Sequence, residues 1–166
     1  WTGGAFPSLW NVACHYLFLH KLLPQKWRPN TLYLDDDIAK TQAVDWVSGA
    51  CMVLRREALN NQLFDERFFM YGEDMALCYR LKKSGWDVVY TPETSLIHYQ
   101  GRSMAKQSGN ILSSSIKGPR MFFVMTHSRW KLPLFDVLTI MGFVVRLFGY
   151  SAKALLNRAK YQDKVK

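Results

Sequence analysis

The segment Phe64 to Arg80, FDERFFMYGEDMALCYR, constrains the fold more than any other stretch of the 166-residue sequence. An aromatic run with Phe68, Phe69 and Tyr71 leads to Gly72, and behind the adjacent acids Glu73 and Asp74 the residues Leu77, Cys78 and Leu81 recur at helical spacing. This pattern predicts a turn followed by a helix from about Glu73 to Ser84, with Lys82 and Lys83 in its last turn and Gly85 as its stop. A helix start carries partial positive charge and unpaired N–H groups, so two carboxylates there are stabilising without any chemistry. Helix capping and general-base catalysis are the two accounts of the pair.

Elsewhere the chain reads as short elements. From Pro7 to Leu23 the apolar residues follow a helical rhythm, with Ser8 as N-cap and Pro24 as stop. Gln25 to Lys40 reads as a loop. Val44 to Arg55, VDWVSGACMVLR, predicts a buried strand that bends at Ser48 and Gly49, where a small residue lets something approach the backbone. Arg56 to Asn61 predicts a short helix. Trp86 to Tyr90 and Thr94 to His98 predict two short strands around Pro92, the second delivering His98 to a loop.

Charge divides the chain. Lys117 to Lys166 holds ten Lys and Arg against Asp136 and Asp163, whereas the preceding residues hold twelve against eleven, so the net +9 belongs almost entirely to the tail. Two regions follow, 1–116 and 117–166. Within the tail a helical pattern around Ile111 to Trp130 continues past Pro133, and the apolar run Val137 to Val145 is bounded by Asp136 and Arg146. That run is short of the roughly 20 residues a bilayer span needs, so the expectation is an amphipathic helix lying on an anionic membrane surface. A helix packed on another domain is the alternative. Positive charge interleaved with long aliphatic runs argues against nucleic acid as a partner.

Cys14, Cys51 and Cys78 are odd in number, dispersed and set in apolar patterns, which predicts reduced, buried thiols rather than a disulfide framework or zinc cluster. The sequence opens at Trp1 without the basic start and apolar core of a secretory signal, and it reads as a piece of a longer protein.

Taken together, VDWVSGACMVLRREAL, FDERFFMYGEDMALCYRLKKSGWDVVYTPE and SLIHYQGRS resemble the C-terminal half of family 2 glycosyltransferases, in the bacterial rhamnosyltransferase-like branch. The resemblance implies an α/β fold: the acceptor-side half of a GT-A nucleotide-diphospho-sugar transferase, with short mixed strands and flanking helices, followed by the helical tail. It implies that Asp74 is the base of an inverting transfer with Glu73 beside it. His98 matches a histidine that serves a divalent metal, Mg²⁺ or Mn²⁺, on the donor diphosphate. Trp46, Ser48 and Gly49 resemble the strand lining the substrate cleft, and Arg80 and Arg102 are candidates for phosphate contact or for structural ion pairs.

The same resemblance implies a nucleotide-sugar donor such as dTDP-rhamnose, a glycan or lipid-linked acceptor in envelope polysaccharide synthesis, and a cytoplasmic enzyme on the inner face of the cell membrane. It sets the nucleotide-binding half and the main metal-binding aspartates outside this sequence. Asp35, Asp36 and Asp37 fall instead in a variable loop and read as solvated acids. An incomplete chain of this kind is either an inactive piece of the enzyme or a non-catalytic module that binds membrane or a partner.

Overall fold

The computed structural model describes residues 2–27, 32, 38–60, 62–68, 71–98 and 111–162. Its elements are β1 (Gly3–Gly4), α1 (Leu9–Tyr16), β2 (Gln42–Ala43), β3 (Trp46–Val47), α2 (Glu73–Lys83), β4 (Val89–Tyr90), α3 (Ile111–Thr126) and α4 (Leu132–Gln162), with 3-10 turns between them. The class is mixed α/β, with very small sheets. Antiparallel β2 and β4 pair Gln42 with Tyr90 and Ala43 with Val89, and antiparallel β1 and β3 pair Gly3 with Val47 and Gly4 with Trp46.

One stretch of chain serves both sheets. Val44 N–H donates to Val88 O at 3.0 Å, and the next residue, Asp45, donates to Gly4 O at 3.0 Å. Asp45 fixes this change of partner with its side chain, accepting from the Phe6 amide at 2.9 Å and from Lys82 Nζ at 2.8 Å. Lys82 also donates to Val44 O at 3.0 Å. The predicted strand from Val44 to Arg55 therefore ends at Val47, because Ser48 to Cys51 turn instead of extending and Val53 is 98% exposed. No strand forms over Thr94 to His98, and Ile97 is exposed.

Two adjacent phenylalanines on α3 divide the core. Phe122 packs with Val44, Trp46, Phe68, Met75, Cys78 and Val88 against the inner face of α2, whereas Phe123 packs with Val12, Leu32 and Phe135 between α1 and α4. Successive helical positions lie about 100° apart, so α3 can face both clusters at once. Both rings are essentially inaccessible, which makes α3 part of the body and places the 116/117 division inside a helix.

The capping box at α1 is present, with Ser8 Oγ accepting from the Asn11 amide at 3.2 Å and Asn11 Oδ1 accepting from the Ser8 amide at 2.6 Å. The helix stops at Tyr16, well before Leu23, because Leu17 N–H closes on Ala13 O and Phe18 adopts a left-handed φ of 57°. Side chains then satisfy its last carbonyls: His20 Nδ1 sits 2.9 Å from Cys14 O, and Arg146 donates to the carbonyls of His15 and Tyr16.

α3 and α4 form an antiparallel hairpin tied by the bidentate Arg120–Asp136 pair at 2.8 and 2.9 Å. Pro133 sits in the first turn of α4, where a missing N–H costs nothing. The tail helix is more apolar than the run between Asp136 and Arg146 suggests. By length and composition, the stretch Arg129–Leu155 contains a helix long and apolar enough to cross a membrane, and little of it is buried in the protein. Arg146 is the one charged residue between Asp136 and Lys153, so a count that stops at Arg146 divides one apolar helix in two.

Candidate functional site

Glu73 and Asp74 open α2 as the sequence predicts, and the turn before them is unusually constrained. Tyr71 and Gly72 have φ of 66° and 97°, so two successive residues occupy the left-handed region. A Cβ on Gly72 would stand 3.0 Å from the backbone of Gly118 and 3.2 Å from the Phe68 ring. Glycine is required there for both reasons, and α3 holds the start of α2 in place.

Asp74 is locked by backbone amides. Its Oδ2 accepts from Gly49 N–H at 3.2 Å and its Oδ1 from Met75 N–H at 2.8 Å, leaving each oxygen capacity for a further bond. Burial pushes the Asp74 carboxyl above the usual carboxylate range, and the amides of Gly49 and Met75 pull it partly back. Glu73 is raised first by burial and then by the charge of Asp74, and its Oε2 is buried with no hydrogen-bond partner among the described residues. A carboxylate fixed in orientation and made more basic by its surroundings is equipped to take a proton.

The sequence-predicted residues separate into three groups. Gly49 meets Asp74 through the turn after β3, in which Ser48 Oγ accepts from the Ala50 amide at 3.3 Å. A Cβ on Gly49 would lie 3.8 Å from Asp74 Cβ, an ordinary contact, so its contribution is the N–H and not the missing side chain.

Trp46 and Arg80 belong to the scaffold. Trp46 is 7% exposed within the core, and its indole N–H donates to Ala5 O at 3.1 Å, so the ring supports the site from behind instead of lining a cleft. Arg80 donates to the carbonyls of Leu59, Gln62 and Leu63 at 3.3, 2.6 and 2.9 Å, which ties its guanidinium to the loop ahead of FDERFF. His98 is exposed, and among the described residues no group of three or more His, Cys, Asp and Glu side chains gathers to hold a cation. The described residues alone thus do not furnish a divalent-metal site. Arg102, Phe69 and Asp35 to Asp37 lie outside the described residues.

Two of the cysteines are buried as predicted, but Cys51 is exposed on the turn that carries Gly49. Sequence reasoning also missed Gly118, whose signal was the Gly118-Pro119 dipeptide inside an otherwise helical pattern. A cavity of about 370 Å³ lies on the flank of α2 that carries Ala76, Tyr79, Arg80 and Lys83. At 3.6 residues per turn these positions point away from Asp74, and neither Glu73 nor Asp74 lines that cavity.

Residues 33–111 match the protein family described as "Glycosyltransferase like family 2", a range that contains Gly49, Glu73, Asp74 and His98. The N-acetylglucosaminyl-diphospho-decaprenol L-rhamnosyltransferase of Mycobacterium tuberculosis (strain ATCC 25618 / H37Rv) is 34% identical over 117 residues, covering 68% of this chain and 38% of that protein. Rhamnosyltransferase WbbL of Escherichia coli (strain K12) is 37% identical over 65 residues, covering 39% of this chain and 25% of that protein. O-antigen biosynthesis protein RfbC of Myxococcus xanthus is 45% identical over 58 residues, 34% of this chain and 4% of that protein. The chain spans well under half the length of these curated relatives. No solved structure matches it significantly.

Proposed function

We propose that this chain, similar over residues 33–111 to glycosyltransferase family 2, forms the acceptor-side part of an inverting, GT-A-type transferase with Asp74 as its general base. The observation that carries this reading is the amide-fixed, raised carboxylate of Asp74 within the family segment. An acceptor hydroxyl is a poor nucleophile until its proton leaves. Asp74 accepts that proton as the hydroxyl oxygen attacks the anomeric carbon and the bond to the nucleoside diphosphate breaks, which inverts the anomeric centre in one displacement. Glu73 lies beside it in the acceptor site, with its Oε2 turned into the protein.

The relatives' names support a rhamnosyl donor and a lipid-linked acceptor, for which we take dTDP-rhamnose as the donor and envelope polysaccharide synthesis as the setting. The donor's nucleotide is assigned to residues outside this chain. So are the principal ligands of a divalent cation on the donor diphosphate, with His98 the contribution from within. α4 would hold the enzyme at the cytoplasmic face of the membrane, where a lipid-linked acceptor resides.

The experiment is transfer by the intact polypeptide carrying this sequence, using dTDP-rhamnose and a polyprenyl-diphosphate-linked sugar. Asp74→Asn is expected to lower turnover by roughly 10²–10⁴-fold with donor binding retained. Turnover near that of the unaltered protein would remove Asp74 from the role of base.

A further inference from the structure

We propose that α1 and α4 form a monotopic unit in which one side of α4 enters the acyl region of the bilayer and the other side is sealed by protein. Val137, Ile140, Val144, Leu147 and Phe148 make a continuous stripe at helical spacing, and all five are exposed, Ile140 by 61%, Leu147 by 66% and Phe148 by 70%. The helix is long and apolar enough to cross a membrane. Its opposite side, however, is occupied along Phe135, Gly142 and Arg146 by α1, where a Cβ on Gly142 would overlap the Tyr16 ring. α1 carries the buried amide of Asn11 and is tied to the body through Ser8 and Phe6. A helix covered on one flank by such an element is fitted to lie in the membrane plane with its remaining circumference in lipid.

Arg146 is the charge that would otherwise forbid entry, and the fold removes it from the lipid face. Its guanidinium donates to the carbonyls of His15, Tyr16 and Gly142 and lies 4.9 Å from the ring centroids of both Tyr16 and Phe18. Asp136 is likewise paired with Arg120. The remaining charges are basic and flank the apolar stripe: Arg129 and Lys131 before it, Lys153 after it, with Arg158 and Lys160 further along the sequence. That arrangement is complementary to an anionic lipid surface around an apolar insertion. A second copy of the chain is a poorer occupant, because these cations would confront one another across the interface.

The inference extends the membrane-surface part of the proposed function and replaces adsorption by insertion. It is tested with the whole chain and vesicles of phosphatidylcholine, with and without phosphatidylglycerol. Co-flotation is expected with both and should survive high salt, and Val144→Asp with Phe148→Asp should lower partitioning about tenfold or more, with far-UV circular dichroism unchanged. Phe148→Leu should retain binding. In a second measurement, nitroxide labels at Val144 and at Lys153 are compared, and oxygen should be favoured over a polar nickel chelate far more strongly at Val144.

Flotation that requires phosphatidylglycerol and is reversed by salt would overturn the proposal in favour of adsorption. So would equal collision ratios at the two labels, or a lipid-independent dimer cross-linked through Phe148. Since flotation needs neither donor nor acceptor, its failure leaves the transfer chemistry standing. Conversely, an active Asp74→Asn enzyme would leave the membrane unit untouched.

Discussion

The Gly49 amide and the Asp74 carboxylate, 25 positions apart, are joined by a 3.2 Å hydrogen bond that links the turn after β3 to the first turn of α2. Because a Cβ at residue 49 meets only Asp74 Cβ at 3.8 Å, Gly49→Ala should leave turnover within about twofold of the unaltered enzyme. Gly49→Pro deletes the donor. Losing a hydrogen bond to the charged form should raise the Asp74 pKa further, moving the acid limb of the kcat profile to higher pH. A kcat–pH series on the two variants checks this, and identical profiles would remove the amide from control of the base.

Glu73 should cost the fold stability at neutral pH. Its carboxyl is raised above its ordinary value by burial and by Asp74, so the neutral form is the one the folded state prefers. Its contribution is therefore fully present below the unfolded value of about pH 4.3 and is lost as pH rises through the higher folded value. Glu73→Gln should be more stable than the unaltered chain at pH 7, with the difference vanishing at low pH. Urea unfolding at several pH values measures it, and a difference that grows on acidification would contradict the assignment.

Gly72→Ala should be among the most damaging small substitutions in the chain. Left-handed backbone costs a residue with a Cβ about 1–2 kcal/mol, and here the added carbon also meets the Gly118 backbone at 3.0 Å. A loss of about 2 kcal/mol or more in denaturant unfolding is expected. Turnover should fall with it, since α3 can yield only by moving the helix start that carries both acids.

What the sequence revealed and concealed follows from the range of the forces involved. The α2 pattern, the Ser8 cap and the Gly85 stop depend on neighbours within a turn, and each stands where the pattern puts it. The strand expected from Val44 to Arg55 depends on a partner, and pairing with β1 and β4 ends at Ser48 whatever the β-propensity of Met52, Val53 and Leu54. Arg80 shows the same limit for the site. Arginine beside an acid pair suggests phosphate recognition, but three carbonyls from the preceding loop claim it only once the chain has folded back. Arg146 divided α4 on paper because its partners lie 130 positions away.

The thiols should react in an order set by burial. Cys51 is exposed, whereas Cys78 is enclosed in the core with its pKa pushed up to about 11 by burial. At pH 7–8 a maleimide should modify Cys51 alone in the folded chain, with Cys14 and Cys78 following only in denaturant. Peptide mass mapping checks the order. Because Cys51 lies two residues from Gly49, a bulky adduct there should slow transfer, and Cys51→Ser should restore activity in the presence of the reagent.

Arg146 should be worth more to the fold than an exposed ion pair, since it makes three hydrogen bonds to carbonyls and covers two rings. Charged hydrogen bonds of this kind contribute about 1.5–3 kcal/mol, and its position at the C-terminal end of α1 adds a favourable interaction with the helix dipole. Arg146→Met keeps the bulk but leaves the His15 and Tyr16 carbonyls without that donor, and should lower stability by about 2 kcal/mol. Arg146→Lys should recover only part of the loss, because a single ammonium cannot reproduce the planar fork that reaches both carbonyls while stacking on Tyr16 and Phe18. Urea unfolding of the three proteins, followed by hydrogen exchange at the amides of α1, gives the comparison: protection of α1 should fall most in the Met variant. Equal stability of all three would mean that α1 holds to α4 through the contact of Tyr16 with Gly142 and the packing of Val12 in the Phe123 and Phe135 cluster alone.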